Sequence, residues 1–183
     1  MPVTIGSTEN TFANPIGLLT DCHRRIERFL QVLLKIATDP EVAALDAPHR
    51  NALEAALKYF RDSAPKHTAD EEDDLFPALR DAAGQRAKDA LERLESDHKN
   101  ADAWHREVDE IGERWLRDDR LAPHDAFRLK TLLHSLADLY RAHIAVEEEQ
   151  IFPLAQAELS DSAKQAIGKR MASRRGAPFI PHP

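Results

Sequence analysis

Two stretches of this chain carry the same potential ligands at the same spacing. His67-Thr-Ala-Asp-Glu71-Glu72-Asp-Asp-Leu-Phe76-Pro77 recurs as His143-Ile-Ala-Val-Glu147-Glu148-Glu-Gln-Ile-Phe152-Pro153, 76 residues later. Each copy follows a second matched pair. Leu19-Thr-Asp-Cys-His23 and Leu94-Glu-Ser-Asp-His98 both place a His four residues after a Leu, 75 residues apart. The inventory is four imidazoles and two carboxylates in near-symmetric halves. On an α-helix, residues four apart share a face. His67 and Glu71 therefore aim at one place, and so do His143 and Glu147. A carboxylate has two oxygens and can bridge two cations, whereas an imidazole holds one. The set thus fits two metals, each with two terminal His and a share of both Glu. Mixed imidazole and carboxylate donors suit iron or manganese, and zinc less exclusively. A lone H-x3-E pair is a common surface spacing. Duplication of the whole pattern argues against that reading, because an apolar core gains nothing from inward-facing charge.

The elements that must position these groups read as helices. The chain has 183 residues, enough for one domain. Its apolar content is rich in Ala and Leu, with few β-branched runs, which favours an all-α fold. The expectation is an up-down-up-down four-helix bundle with a short fifth helix at the C-terminus. Asn14-Pro15 reads as N-cap and first helical residue, and the first helix should run to about residue 37, ended by Asp39-Pro40. Its inward stripe is Leu19, His23, Ile26, Leu30, Leu33 and Leu34. Pro48 opens the second, with Leu53, Leu57, Phe60, Ala64, His67 and Glu71 inward. It should kink at Pro65 and again at Pro77, and end at Gly84. A third helix should span about 85–116, with Leu91, Leu94, His98, Ala101, His105, Val108, Gly112 and Trp115 inward. A fourth should span about 123–159, through Leu129, Leu132, Leu136, Tyr140, His143 and Glu147, and Ser160 should cap the fifth. The bundle, residues 14–159, then consists of two repeats, about 14–84 and 85–159. An irregular arm (1–13) precedes it, and a short helix and irregular tail (160–183) follow, in which Phe179 and Ile180 fold back on the bundle.

Composition bounds the partners. A net charge of −7 argues against a nucleic-acid partner. The basic group Lys169, Arg170, Arg174 and Arg175 reads as cations favoured at a last helical turn. No signal peptide and no run of about eighteen apolar residues is found, so the expectation is a cytoplasmic chain with no membrane partner and an unknown protein partner. Cys22 is the only cysteine, expected to be an inert thiol pointing away from the ligands. Glu72 and Glu148 read as rim carboxylates that accept a hydrogen bond from a ligand His. His105 reads as a hydrogen-bonded core side chain or a neighbour of the site, Tyr140 as a packing residue that could donate toward it, and His134 as a surface group.

These motifs resemble the hemerythrin family, in particular its bacterial HHE cation-binding branch, over about residues 15–158. The resemblance implies a four-helix bundle holding two oxo- or hydroxo-bridged iron ions, with manganese or zinc as substitutes. Carried over, the terminal ligands are His23, His67, His98 and His143, and the bridging carboxylates are Glu71 and Glu147. The chain departs from the invertebrate oxygen carriers. Their third helix supplies two His one turn apart, and here Asp102 stands one turn after His98. Their last carboxylate is an Asp at a different spacing. Two His per metal is similar to bacterial members implicated in iron–sulfur cluster repair and nitric oxide handling. The implied function is binding of a small diatomic ligand, dioxygen or nitric oxide, for carriage or sensing. The alternatives are a di-iron oxidoreductase acting on nitric oxide or peroxide or assisting cluster repair, and an iron- or oxygen-responsive regulatory module.

Overall fold

A computed structural model describes residues 10–39 and 44–180. Asn14 caps α1 (Pro15–Thr38), its side chain accepting from the Gly17 N–H. Asp46 caps α2 (Ala47–Asp62), accepting from His49 N–H. After Ser63 the chain continues as α3 (Ala64–Asp70), a π-helical turn over Glu71–Leu75, and α4 (Phe76–Ala83). Gly84, at φ +57°, makes the turn into α5 (Gln85–Asp118), a conformation that glycine adopts without a Cβ penalty. Then come α6 (Pro123–Val146), a second π-helical turn over Glu147–Ile151, α7 (Phe152–Glu158) and α8 (Asp161–Arg174), capped by Ser160. No strand occurs among the described residues. Pro40 and most of the N-terminal arm lie outside them.

α1 packs on α2 and α6, and α5 packs on the same two, so each long helix touches its neighbours in sequence and the ring closes. His23 lies in the first half of its helix and His67 just past the middle of the next rod. His98 and His143 repeat that order, as antiparallel neighbours require when all four groups meet at one level. The core falls into two clusters on either side of that level. One is built around Ile26, Leu33, Leu57, Ile111 and Leu136, the other around Leu19, Phe76, Leu79, Leu91 and Ile167. The predicted inward stripes are buried nearly throughout, with Leu34, His105 and Tyr140 only partly so, while Ile36 is buried beside Leu33.

Two expectations are corrected. The second and fourth rods are not continuous α-helices. The second breaks at Ser63, two residues before Pro65, and both widen into a π-turn just before the Phe-Pro pair. The Phe76 N–H donates to the Glu71 carbonyl five residues back, and Phe152 does the same to Glu147. Pro77 and Pro153 have no N–H to give to the preceding turn, so an α-helical ladder is already interrupted there. The basic cluster is likewise more than a macrodipole device. Arg170, Arg174 and Arg175 reach across to α3 and the first π-turn. Arg175 pairs with Asp70 at 2.6 Å, Arg174 with Asp74 at 3.0 Å and also with Asp70, and Arg170 with Asp74. Asp70 and Asp74 are buried, which their place in a run of five acidic residues concealed. The tail turns back as expected at Phe179, whose ring lies 5.6 Å from Lys169 Nζ, whereas Ile180 is exposed.

Removing one side of a buried ion pair leaves a charge with no compensation, typically at a cost of about 3–5 kcal/mol. Arg174→Ala with Arg175→Ala strips both cations from Asp70. The double variant is expected to lose stability of about that order, read as a lowered urea midpoint. A midpoint unchanged from wild type would mean that α8 is held by its apolar contacts alone.

Candidate metal centre

Four rods bring His23, His67, Glu71, His98, His143 and Glu147 to one point inside the bundle. Glu71, Glu147 and His23 have no exposed surface, and the other three are at most 8 % exposed. All four imidazoles turn Nε2 inward. Glu71 Oε1 lies 3.3 Å from His67 Nε2 and 3.8 Å from His23 Nε2, while its Oε2 lies 3.4 Å from His98 Nε2. The two oxygens of one carboxylate thus face opposite pairs of imidazoles. Glu147 Oε2 sits between His23 Nε2 at 3.1 Å and His143 Nε2 at 3.3 Å. The donor atoms fall into two groups of cation-binding size. One is His23, His67, Glu71 and Glu147; the other is Glu71, His98, His143 and Glu147. Both carboxylates belong to both groups.

The outer nitrogens explain the rest of the duplicated motif. His23 Nδ1 donates to Glu148 at 2.9 Å, and His98 Nδ1 to Glu72 at 2.9 Å. Such a bond fixes the neutral tautomer that leaves Nε2 free as a ligand. The contacts cross between halves, since each Glu braces the His of the other repeat. The Phe residues cross in the same way. Phe152 stacks on His23 with centroids 5.3 Å apart, and Phe76 on His98 at 6.1 Å. The roles expected of Glu72 and Glu148 therefore hold. The stacking role of Phe76 and Phe152 went unread, although their recurrence beside the ligands was the signal. The widened turn that starts at Glu71 serves this geometry. Within it Glu71 is buried at the centre while Glu72 reaches His98 on α5.

Charge is poised in the same pattern. Burial opposes protonation of His23, but the nearby carboxylates of Glu147, Glu148 and Glu71 outweigh it and hold its pKa well above the usual value. Burial opposes that of His98 too, and Glu71 with its neighbours pushes it up to about 9. Burial would raise the Glu71 carboxyl, yet the surrounding imidazoles hold it well below the ordinary range. His67 is pushed down to about 4, by burial first. Cys22 is buried, its Sγ 3.6 Å from Arg25, and burial pushes its thiol up, in keeping with an inert side chain.

His105 lies farther along α5, stacked on Phe60, with Nε2 2.9 Å from the Tyr140 hydroxyl. Its pKa is pushed down to about 4 by burial. Tyr140 lines the central cavity of about 10 Å³, together with Ala64, Thr68 and the four imidazoles. Those same residues, Ala64, Thr68, His98 and Tyr140, also border an outer cleft of about 260 Å³ between α3 and α5. They form the partition between the cleft and the centre. His134 is exposed, as expected.

The fit to metal is decided by atoms that nothing else satisfies. His23 Nε2, His143 Nε2 and all four oxygens of Glu71 and Glu147 are buried without a hydrogen-bond partner among the described residues. Unpartnered buried carboxylate oxygens are strongly disfavoured unless a cation compensates them. Residues 14–155 match the family described as Hemerythrin HHE cation binding domain. The chain belongs to that family. It is also 30% identical over 169 residues to an uncharacterised protein of Haemophilus influenzae, covering 90% of this chain and 92% of that one. As an HHE-domain protein it is a metal-binding helical domain, and the buried His/Glu cluster is where its donors converge. No helix among the described residues is long and apolar enough to cross a membrane.

Proposed function

We propose that this HHE-domain chain is a non-haem di-iron protein that binds a small diatomic oxidant, dioxygen or nitric oxide, for carriage or sensing. One observation carries the two-metal part. Two four-residue donor groups share both Glu71 and Glu147, and each adds two imidazoles of its own. His23 and His67 would hold one ion and His98 and His143 the other, with the carboxylates common to both. Imidazole mixed with carboxylate favours iron or manganese over metals that prefer thiolate. Bound there, a pair of irons supplies redox change and Lewis acidity toward a small ligand.

The protein's own residues supply selection. A central cavity of about 10 Å³ admits something of the size of one water. Ile26, Ala64 and Ile144 wall it with apolar surface, and Phe152 and Phe76 stack on the His23 and His98 rings. Bulky substrates and reductants are kept in the outer cleft, behind Thr68 and Tyr140. An oxidoreductase acting on nitric oxide or peroxide is the second reading, favoured by that cleft and by the hydrogen-bonded Tyr140–His105 pair at its inner wall.

The test is anaerobic reduction of the iron-loaded protein, separate exposure to dioxygen, nitric oxide and peroxide, and an optical spectrum of each. A stable coloured adduct is expected. Rapid bleaching with turnover of peroxide or nitric oxide would replace binding by the oxidoreductase reading, and no spectral response to any of the three would reject both.

A further inference from the structure

The duplication allows each ligand to be compared with its counterpart, and three of the four imidazoles have an acidic oxygen behind them. His23 and His98 are counterparts, and both hydrogen-bond to a Glu of the other half. His67 and His143 are counterparts too, but they differ. Asp97 Oδ2 stands 3.5 Å from His143 Nδ1. That contact is longer than an ordinary hydrogen bond, so Asp97 acts as a negative charge facing the Nδ1–H. The position equivalent to Asp97 in the first half is Cys22, which carries no carboxylate. Neither His67 Nδ1 nor His143 Nδ1 has a hydrogen-bond partner among the described residues, so the counterparts differ only in the Asp97 carboxylate that faces His143. The nearest acidic candidate on its own rod, Asp70, directs both oxygens to Arg174 and Arg175.

We propose that the two metal positions are unequal: the ion held by His98 and His143 binds first and more tightly than the ion held by His23 and His67, and Asp97 is the positioning residue that sets the difference. The inference rests on the two-metal reading above. A carboxylate behind a ligand imidazole strengthens its donor nitrogen, and losing such an outer partner typically costs about 10–100-fold in metal affinity. Among the described residues of the first half no such group faces His67 Nδ1. Shared carboxylates alone would separate two binding steps through repulsion between the ions. The distinguishing feature is therefore which position fills first.

Single-position variants test this by anaerobic calorimetric titration of the full, metal-free chain with ferrous iron. His67→Ala keeps the Asp97-backed position and His143→Ala keeps the other. The expected result is that His67→Ala binds its ion about 10–100-fold more tightly than His143→Ala does. Adding Asp97→Asn to His67→Ala should remove that advantage, with the melting temperature of the metal-free chain unchanged. Equal affinities in the two His variants, or an Asp97→Asn substitution without effect, overturn the proposal and leave the two-metal site standing. If both His variants lose all binding, Asp97→Asn in the wild-type background decides: the first equivalent weakens at least about tenfold, or the proposal fails. A wild-type chain that takes up one ion at most removes the two-metal reading and this inference with it.

Discussion

Glu71→Ala is expected to empty the whole centre, taking the iron content from about two per chain to near none. Glu147→Ala should do the same. Each carboxylate belongs to both donor groups, and the two oxygens of Glu71 face imidazoles of opposite halves. Its removal takes a negative charge from two cations at once, in a cavity where little water can substitute. His23→Ala removes a neutral ligand from one position. It should lose about one ion per chain and keep the one beside His98 and His143. Metal analysis after anaerobic reconstitution reads both outcomes. Equal residual iron in the Glu71→Ala and His23→Ala variants would show that the carboxylates do not bridge.

The second large effect is on stability, and its pH dependence follows from the histidines. A ligand at about a thousand times its Kd stabilises a fold by about 4 kcal/mol, and each kcal/mol moves the Tm of a chain this size by roughly 2–4 °C. The loaded protein is thus expected to melt roughly 8–16 °C above the metal-free form at pH 8. Without metal, His98 and His23 bind protons more tightly folded than unfolded. Their contribution is fully present below the unfolded value near 6.5 and is lost as pH rises through about 9. His67 and His105, pushed down to about 4, work the other way. Below about 6.5 the unfolded chain takes up protons that these two refuse when folded, so stability falls toward pH 4. The metal-free form should therefore be most stable near pH 6.5. Metal must displace the protons on His23 and His98, so its affinity rises with pH and the gap between loaded and metal-free melting widens from pH 6 to 9. Melting curves with and without a chelator across that range check the sign. A gap that narrows on raising the pH would mean that the two histidines are not the groups the metal replaces.

Much of this arrangement is visible in the sequence because helical spacing is a local property. The i, i+4 pairs His67/Glu71 and His143/Glu147, the apolar stripes and the caps at Asn14 and Ser160 all follow from neighbours within a turn or two. Repetition then separates a site from a surface coincidence. What escaped is what depends on distance along the chain or on a single shifted hydrogen bond. The π-turns at Glu71–Leu75 and Glu147–Ile151 leave no mark in the hydrophobic period, since they change the partner of one N–H and not the residue pattern. The Phe76–His98 and Phe152–His23 stacks join opposite halves, which a search within one repeat does not find. Asp70 and Asp74 sit among Glu71, Glu72 and Asp73, where composition suggests a solvated face. Their burial is set by arginines about a hundred residues later.

The most direct test of the central claim is the iron-to-protein ratio of the wild-type chain after anaerobic reconstitution and removal of loosely bound metal. Two ions per chain are predicted, one for each group that contains Glu71 and Glu147. A ratio that saturates at one, under conditions where the fold is intact, would contradict the bridged centre.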